Sequence, residues 1–297
     1  MNGIILKAIA GFYYVDAGGL LYECKARGSF RKSGVSPLVG DRVEMEPCDE
    51  KTGVIDAILP RKNALSRPPV ANLDQLLIVS SFENPAPNTA VIDRMTAVAV
   101  YHGIKPILLF NKCELGQMDE FVRIYQAAGF PTYVVSAREG EGLEAIRREL
   151  QGSVSAFTGN SGVGKSSLLN SLFEGLSLQT GAVSEKLGRG RHTTRHTELL
   201  KLGDNTFVAD TPGFSSVPEG DRSYDFKTNL IHCFPDLEQF AGGCRFTSCT
   251  HTREAGCGVL EALKNGAVQQ SRHASYCRLS EELKDITAWS GSKHKKQ

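Results

Sequence analysis

The sequence predicts a multi-domain α/β protein: an N-terminal OB-fold β-barrel, a P-loop nucleotide-binding domain, and a C-terminal helical domain that binds a metal. Three observations predict it. Residues 1–65 are short β-branched and aromatic runs punctuated by glycine. Strand and helix patterns then alternate around the stretch Gly159-Asn160-Ser161-Gly162-Val163-Gly164-Lys165-Ser166, which fits G-x-x-x-x-G-K-[ST]. Residues 221–297 read as helical, interrupted by a cluster of cysteine and histidine. A length of 297 residues suits two domains, or three if some are small.

Composition sets the class. With 41% hydrophobic and 23% charged residues the chain can bury a substantial core. A net charge of +1 excludes a global field that would pull it onto nucleic acid, so such contact must come from local patches. Lys293-His294-Lys295-Lys296 is one. No run approaches 18 apolar residues, and the apolar start, Met1 to Ala10, is too short for a signal peptide and lacks a small-residue cleavage site. The expectation is a cytoplasmic protein without membrane contact, its thiols reduced. Of eight cysteines, Cys24, Cys48 and Cys113 are scattered and read as small, partly buried thiols.

In the first domain the expected strands are Ile4 to Ile9, Phe12 to Val15, Leu20 to Ala26, Asp41 to Met45 and Gly53 to Leu59. Five short strands without a convincing helix suit an OB-fold. Arg27, Arg31, Lys32, Arg61 and Lys62 fall in or beside its loops, where they suit RNA contact.

Residues 66–220 form the second domain. Arg67-Pro68-Pro69 reads as a stiff joint, because proline restricts itself and its predecessor. Strands are expected at Leu76 to Ser81, Pro106 to Phe110, Thr132 to Val135 and Ser153 to Thr158, with helices at Ala90 to Tyr101, Met118 to Ala128 and Leu143 to Leu150. A helix follows the glycine loop, and Glu198 to Leu202 and Thr206 to Ala209 read as paired strands. Alternation of this kind predicts a mainly parallel sheet covered on both faces.

The glycine loop carries the chemistry. Its glycines turn backbone N–H groups toward an anion, and the following helix adds partial positive charge. Lys165 can reach the β- and γ-phosphates and Ser166 can ligate Mg²⁺. The candidate nucleotide contacts run from Gly159 through Ser166 to Ser167. Four further segments point to guanine. Asn111-Lys112-Cys113-Glu114 is similar to NKxD, with Glu114 where aspartate is usual. An acidic side chain there accepts from the guanine N1–H and exocyclic amine, which adenine cannot offer. Ser136-Ala137-Arg138 resembles the SA[KL] loop, whose amides touch guanine O6. Asp210-Thr211-Pro212-Gly213 resembles DxxG, placing Asp210 on Mg²⁺ through water and the Gly213 amide at the γ-phosphate. Gly188-Arg189-Gly190-Arg191-His192-Thr193-Thr194 is placed to be the first switch, with Thr194 as the second Mg²⁺ ligand.

The usual GTPase order is phosphate loop, switch threonine, DxxG, NKxD, SA[KL]. Here NKCE and SAR come first, then the phosphate loop, Thr194 and DTPG. The domain therefore reads as a circularly permuted P-loop GTPase. Cutting the chain after DTPG leads the second switch directly into the C-terminal domain, an expected route of coupling. In that domain Cys244-x4-Cys249-x-His251-x5-Cys257 supplies three thiolates and one imidazole, a full tetrahedral set for one structural Zn²⁺. Cys233 and Cys277 lie outside the spacing and read as core thiols; His232 is a conceivable substitute ligand.

The permuted order, the segment GRGRHTT and the flanking domains resemble the RsgA family of small-ribosomal-subunit-dependent GTPases, over the whole chain. The resemblance implies GTP hydrolysis stimulated by the small subunit, late subunit maturation, contact with its rRNA, bound GTP or GDP with Mg²⁺, and zinc at the four positions named. A monomer is expected. Ras-like enzymes orient the attacking water with a glutamine just after the DxxG glycine, where this chain has Phe214. His192, beside the switch threonines, is the local candidate for that work, and the resemblance favours it; Lys165 and Thr194 complete the catalytic set. A non-enzymatic rRNA-binding module with a vestigial nucleotide site, and a P-loop ATPase, are the competing readings.

Overall fold

A computed structural model describes residues 1–28, 30, 34–66, 68–173, 197–210 and 223–288, with the side chain of Asp210 outside that description. Arg31, Lys32, His192, Thr194, Gly213, Phe214 and the basic C-terminal tail fall outside the described residues.

Five strands form the first domain: β1 (Asn2–Ile9), β2 (Phe12–Ala17), β3 (Leu20–Ala26), β4 (Arg42–Pro47) and β5 (Thr52–Ile58). They pair in the ring β1-β2-β3-β5-β4-β1, with β3 parallel to β5 and the other pairs antiparallel. Closure leaves no free edge in the ring, and Ile5, Val15, Cys24, Val43, Met45 and Ile55 fill it. Two-residue turns drive the hairpins: Ala10 and Gly11, then Gly18 and Gly19, all take positive φ, which matches the twist of the flanking strands. Of the three thiols expected to be partly buried, Cys113 is so, Cys24 is fully buried in this core and Cys48 is exposed.

The stretch expected as a stiff joint is flanked by paired strands. β6 (Ala64–Ser66) and β7 (Pro69–Ala71) pair antiparallel, with Leu65 opposite Val70 and Ser66 opposite Pro69. Pro69 sits at the first position of its strand, where a missing donor costs little. Leu65 and Val70 are drawn into the main core, so the connection is a folded clasp.

The second domain contains β8 (Gln75–Ser81), α1 (Thr89–Tyr101), β9 (Lys105–Asn111), α2 (Asp119–Ala127), β10 (Thr132–Val134), α3 (Leu143–Leu150), β11 (Val154–Thr158), α4 (Lys165–Leu172), β12 (Glu198–Gly203) and β13 (Thr206–Asp210). Across the sheet they run β10-β9-β8-β11-β13-β12, all parallel except β12. Every residue of β8 and of β11 is buried, as strands covered on both faces require, and the buried Gln75 donates to Ser155 across the pair at 3.0 Å. α1 and α2 cover one face through Ile92, Met95, Ile124 and Tyr125. α3 and α4 cover the other through Leu143, Ile146, Leu168 and Leu172. The permutation is legible in this topology. The chain builds outward from β8 to β10, returns along α3 to the central β11, and fills the opposite side last.

The sheet does not stop at β12. Lys7 of β1 pairs with Glu198 of β12, so barrel and nucleotide sheet are continuous. A register shift between Ile5 and Lys7 frees β1 from β4 and lets it reach the second partner. Lys7 Nζ lies 2.8 Å from Glu198 Oε2, and Lys201 Nζ lies 2.5 Å from Asp16 Oδ2.

The C-terminal region is helical as expected, with α5 (Tyr224–Thr228), α6 (Pro235–Glu238), α7 (Gly258–Lys264) and α8 (Gln270–Glu282) joined by 3₁₀ turns. Its core includes Ala97 and Val98, so it packs directly on α1 of the second domain. Cys233 belongs to that core and Cys277 packs against it half-buried.

Candidate nucleotide and zinc sites

The central β11 is flanked by β8 on one side and β13 on the other, and beyond its carboxyl end the connections diverge. Ligands of such sheets bind at this crevice. The glycine loop lies there, between β11 and α4. Gly159 and Gly164 take φ of 140° and 92°. A Cβ at Gly159 would come within 2.1 Å of the Val79 carbonyl oxygen, and one at Gly164 within 2.4 Å of Asn111 Nδ2. Backbone conformation and close approach both demand glycine. Val163 is buried in the core beneath and anchors the loop. Ser166 and Ser167 follow in the first turn of α4.

Lys165, at the start of α4, donates from Nζ to the carbonyls of Gly159 at 2.7 Å and Asn160 at 2.8 Å. Burial pushes its ammonium pKa down. The side chain is thus folded back along the loop, its charge held where incoming phosphate oxygens would replace two neutral acceptors.

The guanine-type segments meet the loop through one side chain. Asn111, 2% exposed, donates from Nδ2 to the Val163 carbonyl at 2.9 Å and accepts at Oδ1 from the Ala137 amide at 3.0 Å. It ties the glycine loop, its own strand end and the SAR loop into one unit. The pattern assigned Asn111 to the nucleotide; this bridging role carries no separate sequence signal. Ser171 of α4 adds a second tie, donating to the Ala137 carbonyl at 2.8 Å. Ser136 is fully buried, and its hydroxyl accepts from the Glu139 amide at 3.0 Å, which shapes the loop. Lys112, at φ 66°, donates to the carbonyls of Glu83 and Asn84 at 3.3 and 3.2 Å. Glu114 lies in a 3₁₀ turn with its side chain exposed. Asp210 ends β13, two residues beyond the Val208–Ser155 pairing with β11. The loop, Asn111, Ala137 and the Asp210 backbone therefore lie together at the carboxyl ends of the parallel strands.

The basic residues expected to meet RNA are largely engaged. Arg61 donates twice to the buried Asp41 carboxylate, at 2.7 and 2.8 Å. Arg27 pairs with Asp56 and Glu46, and Lys62 with Asp74.

In the C-terminal region the ligand atoms of Cys244, Cys249, His251 and Cys257 all lie within 4.8 Å of one another. The sulfurs of Cys244 and Cys257 are 3.8 Å apart, and His251 Nδ1 is 3.4 and 3.6 Å from them. A tetrahedral zinc with ordinary Zn–S and Zn–N bonds requires edges of about 3.8 Å between sulfurs and about 3.6 Å from sulfur to nitrogen. The donor set fits one Zn²⁺. Burial pushes the His251 pKa down and so favours the neutral, ligating imidazole. Outer contacts orient the site: the Gly258 amide donates to Cys244 Sγ at 3.3 Å, and His273 Nε2 donates to the His251 carbonyl at 2.8 Å. His232 is instead paired with Glu238. Removing the metal should cost about 10 kcal/mol of local stability. Chelation should therefore abolish the unfolding transition of residues 223–288 in calorimetry. An unchanged transition would argue against a structural metal.

Comparison with known proteins agrees with this architecture. The RsgA GTPase family model matches residues 58–218, and the RsgA N-terminal domain model matches residues 2–55. A protein of Alkaliphilus metalliredigens described as small ribosomal subunit biogenesis GTPase RsgA is 45% identical over 95% of this chain and 98% of its own length. A protein of Agathobacter rectalis with the same description is 42% identical over 96% of this chain and 99% of its own. Among solved structures, YjeQ from Thermotoga maritima superposes with a TM-score of 0.82 at 33% identity, covering 96% of this chain and 99% of that one. YloQ, described as a circularly permuted GTPase, superposes with a TM-score of 0.78 at 32% identity, covering 96% of this chain and 95% of that one. By model match, full-length identity and permuted topology alike, the chain belongs to the RsgA GTPase family.

Proposed function

We propose that this chain hydrolyses GTP to GDP and phosphate in response to the small ribosomal subunit, as a late factor in that subunit's assembly. The observation that carries the reading is Asn111, which bonds the phosphate loop to the guanine-type SAR loop from the NKCE strand end. Such a tie makes phosphate and base recognition one preorganised surface. Glu114 would accept from the guanine N1–H and amine, and the SAR amides would meet O6. The loop from Gly159 to Ser167 would hold the phosphates, with Lys165 at the β- and γ-oxygens. Ser166 and Thr194 would ligate Mg²⁺, Asp210 would hold it through water, and the Gly213 amide would face the γ-phosphate. The metal, when bound, would neutralise negative charge on the phosphates as the γ-phosphoryl group departs.

In hydrolysis a water attacks the γ-phosphorus, the bond to the β–γ bridging oxygen breaks, and the departing GDP keeps that oxygen. Phe214 cannot orient the water, so His192 takes this role once the subunit has engaged the switches. Replacing His192 with alanine should cut subunit-stimulated turnover by about a hundredfold or more while sparing GDP affinity. Turnover that survives this substitution would sink the assignment.

The proposed division is 1–65 for a barrel that contacts rRNA, 66–220 for the GTPase and 221–297 for the zinc domain, in a cytoplasmic monomer. No helix among the described residues is long and apolar enough to cross a membrane. The non-enzymatic RNA-module reading is disfavoured because the phosphate loop keeps its strained glycines and holds Lys165 against the loop carbonyls, as a working nucleotide site requires.

A further inference from the structure

The SAR loop uses most of its backbone donors to hold its own shape. The Ser136 amide donates to the Glu141 carbonyl at 3.0 Å, the Glu139 amide to the Ser136 hydroxyl at 3.0 Å, and the Gly140 amide to the Ser136 carbonyl at 2.9 Å. The Ala137 amide is taken by Asn111 Oδ1. Of the five amides from Ser136 to Gly140, only that of Arg138 has no partner among the described residues, and Arg138 is exposed. An exposed amide of this kind is satisfied by water until a ligand acceptor displaces it.

That amide shares a peptide unit with the Ala137 carbonyl, and the carbonyl is held. Ser171, in the last turn of α4, donates to it at 2.8 Å, with the Ser167 carbonyl one turn back at 2.9 Å as the alternative acceptor. No other donor among the described residues reaches the Ala137 oxygen. The peptide is trans, so its N–H and C=O point in opposite directions, and fixing the carbonyl on α4 aims the Arg138 N–H away from that helix. The end of α4 is itself anchored. Arg147 of α3 donates from Nε to the Leu172 carbonyl at 2.9 Å and from Nη2 to the Ser171 carbonyl at 3.0 Å, capping two carbonyls that the helix leaves open. Glu144 holds the same guanidinium at 2.9 Å.

We infer that Ser171 is a positioning residue for base recognition: its hydroxyl fixes the Ala137–Arg138 peptide so that the Arg138 amide meets O6 of guanine. The inference rests on the proposed guanine specificity, and names the donor and the side chain behind it. A carbonyl oxygen at position 6 of the base accepts from this amide. The 6-amino group of adenine presents donors to it instead and leaves the amide unpaired. Without the hydroxyl the peptide is free to rotate, and the donor must be ordered when the base arrives. Ser171 belongs to the helix that starts from the phosphate loop, so one rigid element carries both the phosphate and the base contacts.

The test titrates the full, zinc-loaded chain calorimetrically with GDP, 6-thio-GDP and IDP. 6-Thio-GDP keeps the N1–H and the exocyclic amine but offers sulfur, a weak acceptor, at position 6. IDP keeps O6 and lacks the amine. Wild type should prefer GDP over both. In Ser171→Ala the preference for GDP over 6-thio-GDP should shrink roughly two- to tenfold, the range of one net hydrogen bond, whereas the preference for GDP over IDP should not change. Ser171→Thr, which keeps the hydroxyl, should retain both preferences. Equal weakening of all three nucleotides, the mark of a merely structural serine, would overturn the inference, as would a 6-thio-GDP preference indifferent to the substitution. A wild type that binds GDP no better than IDP would overturn the guanine reading as well. A wild type that discriminates against IDP but not against 6-thio-GDP would overturn this inference alone.

Discussion

Replacing Arg272 with alanine is expected to destabilise the protein by about 3–5 kcal/mol, the usual cost of removing one member of a buried ionic group. Arg272 is fully buried, and bonds both carboxylate oxygens of Asp236, at 3.0 and 2.8 Å. Its remaining nitrogen donates to Asp93 Oδ1 at 2.8 Å, and to the Thr96 hydroxyl at 3.3 Å. Phe234 and Phe130 flank the guanidinium at 4.7 and 5.3 Å. Asp93 and Thr96 belong to α1, whereas Arg272 and Asp236 belong to the zinc domain, so this triad fastens one to the other. Burial pushes the Asp93 carboxyl up, and the Arg272 charge pulls it back. Alanine would remove that charge, leave two carboxylates in a dry site, and open a cavity between two aromatic rings. Arg272→Lys should fall between wild type and alanine, because an ammonium cannot make the bidentate bond. Calorimetry of the three proteins checks the order; equal unfolding temperatures would show that apolar packing alone holds the domain.

The second large effect is expected at Lys165. Lys165→Ala should reduce GTP turnover by about a hundred- to a thousandfold, comparable to deleting one preorganised donor from a charge-stabilising site. Its ammonium already lies against the loop carbonyls of Gly159 and Asn160, so it moves little to meet the phosphates. Guanine nucleotide affinity should fall too, and the zinc-domain unfolding transition should not. Turnover retained by this variant would place phosphate recognition elsewhere.

The nucleotide domain was largely legible because its signals are local. The apolar run Leu76 to Val79 marks β8, the glycine loop's place after a short strand marks β11, and the loop needs its glycines for backbone reasons that any neighbour-free reading detects. Strand and helix limits within it agree with the pattern to about two residues. The zinc ligands were legible for the same reason, since short spacing within one loop guarantees proximity. Contacts between remote segments were not. Nothing in the spacing of Asp93, Asp236 and Arg272 announces that they meet, because a salt bridge has no period. The Lys7–Glu198 pairing that joins the barrel to the nucleotide sheet spans most of the chain and likewise left no local trace. The prolines at 68 and 69 read as a stiff joint because residue type fixes their dihedrals, but it does not reveal that the flanking residues pair. The coupling expected through the second switch lies outside the described residues; among the described residues, the zinc domain packs on α1, a contact without a local signature.

The central claim is a guanine-specific hydrolase whose permuted site is switched on by the small ribosomal subunit. Multiple-turnover hydrolysis of GTP and of ATP, each with and without isolated small subunits, tests it most directly. The account predicts slow GTP turnover alone, a large rise on adding subunits, and no comparable ATP turnover in either case. Equal use of ATP, or GTP turnover indifferent to the subunit, would contradict it.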